Sequence, residues 1–85
     1  EYEAIGTNIY KVDGGIDIDN VNNVLGASIP DGDYETLAGF VLYILGDIPS
    51  EGEVFNYRNF RLEVMSMTEM KIEKVKLTIF DNSQQ

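Results

Sequence analysis

Apolar and polar positions follow a different rhythm in each part of the chain. At its start, "YEAIG" and "NIYKVDGG" place Ile5, Ile9, Tyr10 and Val12 in short β-favouring runs on either side of Gly6, Thr7 and Asn8. Two strands joined by a turn are predicted. In "DIDNVNNVLG" the period lengthens, because Ile18, Val21 and Leu25 fall at i, i+3 and i+7, with Asp17 placed to cap and Gly26 to close. That spacing predicts a short amphipathic helix. "ASIPDGDYE" is turn-rich through Pro30 and Gly32, and Asp33 or Thr36 can cap a second helix ending near Leu45.

The nine residues from Leu37 to Leu45 are all apolar, aromatic or glycine. A bilayer span needs about 20 such residues, and Gly46, Asp47 and Pro49 interrupt this run at once. It does not cross a membrane. Apolar side chains almost all round a helix are expected where a sheet covers one side and another helix the other. Buried core is therefore the expectation for this segment, ahead of an exposed partner face.

The last third alternates with a period of two. "EVFNY" and "FRLEVMSM" read as paired strands about a turn near Arg58 and Asn59, and "KIEKVKLTIF" as a final strand after Thr68 and Glu69. Phe60, Leu62 and Val64 share a face, but Met65 and Met67 are out of phase with them, as Ile72 is with Val75, Leu77 and Ile79. A bulge or strong twist near Glu73 and Lys74 reconciles the two phases. Setting Leu62 opposite Val75 would place Glu63 against Lys74 and Arg61 against Lys76. The predicted fold is α+β, in the order β-β-α-α-β-β-β, with a largely antiparallel sheet and two helices packed on one face. Residues 1–80 form the single domain, and "DNSQQ" at 81–85 a frayed polar tail.

Composition removes whole classes of chemistry. Eighty-five residues without cysteine or histidine support one modest core but no disulfide, thiolate nucleophile or histidine base, and lack the usual zinc ligands. Beginning at Glu1, without a basic and then apolar leader, the chain reads as a piece of a longer protein. The net charge of -9 is unevenly spread: residues 1–57 carry eleven acids and one base, residues 58–85 four acids and five bases. Such a surface repels phosphate backbones, so nucleic acid is excluded as a partner.

Three carboxylates, Asp13, Asp17 and Asp19, surround the start of the first helix and form the candidate site for magnesium or calcium. The same residues also suit helix capping and the helix dipole, and their spacing differs from the calcium-binding loop. Asp31, Asp33 and Glu35 form a second acidic group, read as a solvated turn. Gly14 and Gly15, between strand and helix, offer backbone amides to a phosphate, though the three aspartates oppose an anion there. Arg61, Lys74 and Lys76 are the basic concentration, read as a solvated strand face with one cross-strand ion pair. Glu63 with Glu73 or Asp81 could be read as paired carboxylates for acid/base work, but nothing in the sequence puts them in a pocket.

Taken in order, "VDGGIDIDNVNNVLG", "DYETLAGFVLYILGDIPSEGEVF", the strand from Phe60 to Val64 and "KIEKVKLTIF" resemble the CorC/HlyC transporter-associated domain. The resemblance covers nearly the whole chain, and "YETLAGFVLYILGDIPSEGE" is its most specific part. It implies a C-terminal module on the cytoplasmic side of membrane proteins that carry CBS domains, some linked to magnesium and cobalt efflux and others called hemolysin-like. Its characteristic residues correspond here to Asp13, Gly14, Thr36, Leu37, Ala38, Gly39, Gly46, Pro49, Gly52 and Glu53, which suit caps, turns and close packing. No catalytic residues carry over. The family's fold is also similar to part of flavin-binding domains, which raises flavin adenine dinucleotide as an alternative ligand beside a divalent cation or an adenine nucleotide.

These readings converge on a non-catalytic regulatory module that modulates ion transport by contact with other domains of its parent or with a second copy of itself. No cofactor is expected on the main reading.

Overall fold

The computed structural model describes residues 2–80, so the predicted tail at 81–85 lies outside the described residues. Seven elements follow in the predicted order: β1 (Tyr2–Gly6), β2 (Ile9–Asp13), α1 (Ile18–Leu25), α2 (Leu37–Leu45), β3 (Val54–Tyr57), β4 (Phe60–Thr68) and β5 (Lys71–Ile79). The strands form one sheet in the order β1-β2-β5-β4-β3, every neighbouring pair antiparallel. Hairpins account for three of the pairings. The fourth, β2 with β5, joins the two ends of the sequence and encloses both helices between them.

Cross-strand rows show how the inner face is built. Val12, Val75 and Val64 lie in one row and Tyr10, Leu77, Leu62 and Phe55 in the next. Against them pack Ile18, Val21 and Leu25 of α1 and Leu37, Phe40 and Val41 of α2, forming one buried cluster with Phe60. On the other face Lys76 stands between Lys11 and Glu63, and Thr78 between Ile9 and Arg61. Alternation along each strand thus separates a helix-covered apolar face from a charged one.

Sequence parity chose the correct face but set β4 against β5 two residues out of register. Leu62 opposes Leu77 and Val64 opposes Val75, so Glu63 meets Lys76 and Arg61 meets Thr78. A two-residue slip preserves every side chain's face, which is why alternation alone does not detect it. The expected irregularity is present: pairing shifts between Val64 and Ser66, and again between Ser66 and Met67. These shifts bring Ile72 inward opposite Met67, whereas Met65 is exposed.

The apolar run is only half core. Leu37, Phe40 and Val41 are fully buried, but Leu42 and Tyr43 face solvent, so α1 does not cover α2 on its outer side as the sequence suggested. At its start, Thr36 is the cap: its Oγ1 accepts from the Gly39 amide at 3.1 Å. Gly46, at φ 77°, ends the helix, and its amide donates to the Leu42 carbonyl. Replacing Thr36 by alanine leaves the Gly39 amide without this acceptor and is expected to cost about 1 kcal/mol, with serine restoring most of it. Urea unfolding of both variants measures the difference.

Asp17 occupies the corresponding position before α1 but makes no capping bond with its side chain. The Ile18 amide donates instead to the Glu35 carbonyl, beside an isolated bridge between Asp17 and Thr36. A side-chain amide fastens the following loop: Asn22 Nδ2 donates to the Ile29 carbonyl and Asn22 Oδ1 accepts from the Ile29 amide, at 2.8 and 2.9 Å. This clamp was not legible in the sequence, where asparagine on a helix carries no signal of a partner seven residues on.

Candidate acidic and strand-helix junction site

The end of β2 runs directly into the start of both helices. Gly14 donates its amide to the Glu73 carbonyl, its own carbonyl accepts from Ala38, and the Ile16 carbonyl accepts from Leu37. With Thr36 on Gly39, the first three amides of α2 all have partners within the chain. A helix N-terminus attracts anions through amides that remain unsatisfied, and this one has none in its first three residues. Gly14 therefore supports close packing rather than a phosphate cradle, and a flavin or nucleotide gains no amide from it or from the start of α2.

The candidate cation residues are distributed over two neighbouring clefts. Asp13 and Asp17 line one of about 340 Å³ with Gly15, Ile16 and Asn20. Asp17 and Asp19 line another of about 380 Å³, where Asp31, Tyr34 and Glu35 join them. Asp17 is common to both. Among the described residues no group of three or more carboxylates has an arrangement that could hold a metal ion. The second acidic group is brought to the first by the loop before α2, an approach that the sequence separation concealed.

Asp13 has a cationic neighbour. Lys74, its cross-strand partner on β5, donates Nζ to Asp13 Oδ1, so the cross-strand ion pair seen on this face takes its acid from β2 rather than from Glu63. The ammonium holds the Asp13 carboxyl below its ordinary value of 3.8. The hydrogen bond to Asp13 in turn raises Lys74 above its ordinary 10.5. A lowered carboxyl pKa contributes stability that is complete above 3.8 and lost as pH falls through the folded-state value. A raised amine pKa contributes below 10.5 what is lost as pH climbs through its folded-state value. Asp13→Asn is accordingly expected to lower the melting temperature at neutral pH, with the gap to wild type closing as pH falls below 3.8. Melting curves across pH check this directly.

Tyr34 borders the larger cleft and donates its hydroxyl proton to the Pro30 carbonyl. Burial pushes its pKa above the ordinary 10.0, with Tyr57, Tyr43 and Asp31 adding to the rise. Its ring packs against Phe40 and Tyr43 at centroid distances of 5.2 and 5.3 Å. Glu63 lies on the charged sheet face opposite Lys76, Glu73 follows Ile72 at the pairing shift, and Asp81 lies outside the described residues.

Comparison with known proteins decides the family. The sequence profile of the CorC_HlyC transporter associated domain matches residues 3–81. This chain belongs to the transporter associated domain family. A polyamine export protein of Salmonella typhimurium is 34% identical over 77 residues, which cover 88% of this chain and 17% of that relative. The domain thus spans about one sixth of the length of that relative. Among solved structures, a hemolysin domain from Enterococcus faecalis superposes with a TM-score of 0.86 at 30% identity, covering 94% of this chain and 98% of the other. The transporter associated domain of a Xylella fastidiosa hemolysin, solved in complex with Mg++ and Mn++, gives a TM-score of 0.82 at 29% identity, with the same coverage. Among the described residues, no helix of the domain is long and apolar enough to cross a membrane.

Proposed function

We propose that this domain is a non-catalytic accessory module of a membrane transporter or hemolysin-like protein, held on the cytoplasmic side, which modulates cation transport by contacting other parts of its parent. The observation that carries this reading is the division of α2. Its inner side completes the core, while its uncharged outer side is presented to solvent by a chain of net charge -9. The Gly14 amide and the first three amides of α2 are engaged internally, which favours the exterior as the working part. The cargo is a cation, magnesium or cobalt on the family resemblance and a polyamine on the relative's name. Efflux of each from cells carrying the parent protein, with and without residues 1–80, tests the reading. Transport that persists with a changed rate or cation dependence supports a modulating module. Unaltered transport of all three after deletion rejects it.

A second reading gives the domain a divalent cation to sense. Asp17 lines both acidic clefts, with Asp13 in one and Asp19 in the other, and the similar Xylella fastidiosa domain was solved with Mg++ and Mn++. A saturable rise in melting temperature with magnesium or manganese, absent in a chloride control and abolished by Asp17→Asn, supports it. Melting that is indifferent to both ions rejects it.

A further inference from the structure

We propose that the apolar groove between α2 and the β4–β5 hairpin docks a basic amphipathic segment of the parent protein, an inference that rests on the accessory role above. The groove encloses about 330 Å³, with Ala38 and Leu42 on one wall and Met70 and Ile72 on the other. Met70 is 70% exposed and Leu42 38%. At the hairpin tip Glu69 and Met70 both take positive φ, 51° and 68°, a conformation that asparagine and glycine adopt with least strain. The fold thus holds a large, deformable apolar side chain out in solvent at the mouth of an apolar groove. Methionine suits such a place because its unbranched thioether adapts to the shape of what it meets.

Charge selects the occupant. Glu73 lines the groove and Glu69 sits at its tip, with Lys71 as the one basic lining residue. A second copy of this chain, an anionic bilayer and a nucleic acid are all repelled by a net charge of -9. A helix with an apolar stripe and flanking lysines or arginines satisfies both features, inserting its apolar side chains between Leu42 and Met70. Membrane proteins concentrate lysine and arginine in their short cytoplasmic loops, so the parent itself is the natural source.

The domain forms a single core, and a similar solved chain consists almost wholly of this unit, so the isolated domain is the right material. The probe is a labelled helical peptide of leucine and lysine of about 18 residues, or five turns. Binding is expected to move the amide resonances of Ala38, Leu42, Met70 and Ile72. Leu42→Glu is expected to weaken it about tenfold even though the variant is more acidic, because apolar contact carries the docking. Thr78→Glu adds the same charge to the opposite face and leaves affinity unchanged or slightly higher. Absent binding, resonance shifts centred on the Asp31 and Glu35 cleft, or binding that Leu42→Glu does not weaken would overturn the proposal. In the parent, deletion of the domain that alters transport, combined with no effect of Leu42→Glu, discards the groove and keeps the accessory role. A deletion without effect discards both.

Discussion

Gly14→Ala is expected to destabilise the domain by about 3 kcal/mol or more. A Cβ at this position would stand 2.2 Å from the Ile72 carbonyl oxygen and 3.1 Å from its carbon. Both atoms are backbone of β5, which its pairing with β2 and β4 prevents from yielding. Any shift that relieves the clash also disturbs the hydrogen bonds from Gly14 to Glu73 and from Ala38 to Gly14, at 2.9 Å each. A domain of this size has roughly 4 to 13 kcal/mol in total, so the loss is a substantial share. Gly15→Ala is the control. Nothing lies within 4 Å of its added Cβ, and its effect should stay within about 0.5 kcal/mol. Urea unfolding with equal slopes for the two variants would attribute the difference to the folded state. Similar midpoints for both would show that β2 and β5 separate at little cost.

Phe40→Ala should cost about 3 to 5 kcal/mol, through lost burial and the cavity left behind. Phe40 is fully buried and meets Tyr34 and Tyr57 edge-on, at centroid distances of 5.2 Å and interplanar angles of 65° and 86°. Its removal takes a shared neighbour from β3 and the loop before α2 together. Tyr43, three residues on, is 61% exposed, and Tyr43→Ala should cost less than about 1 kcal/mol. Chemical denaturation of the pair measures how much of the apolar run belongs to the core. Equal losses would mean that the outer side of α2 is covered in solution, by a second copy or a rearranged loop.

The contrast between Phe40 and Tyr43 marks how far periodicity could be read. Ile18, Val21 and Leu25 revealed α1 because a half-buried helix needs polar residues on its other side, and aspartates and asparagines stand there. No polar residue interrupts α2 and no stripe is visible in it, so which of its residues would be buried depended on the layer above. For the clefts, Asp17 and Asp19 were legible as neighbours in sequence, whereas Asp31 and Glu35 reach them only after the loop folds back along α1. Asp13 was legible as an acid near that helix, but its partner Lys74 lies at the other end of the chain.

Local chemistry in the sequence by itself determined the seven elements, the ends of both helices at Gly26 and Gly46, and the α+β class with one apolar sheet face. These follow from backbone preferences and from alternation, which act within a few residues. Tertiary structure alone decided the register of β4 against β5, the pairing of β2 with β5, the engagement of the α2 amides and the exposure of Leu42 and Met70. Each of these depends on the distance between residues far apart in the chain, set when the whole inner face is buried at once, and no local pattern encodes it.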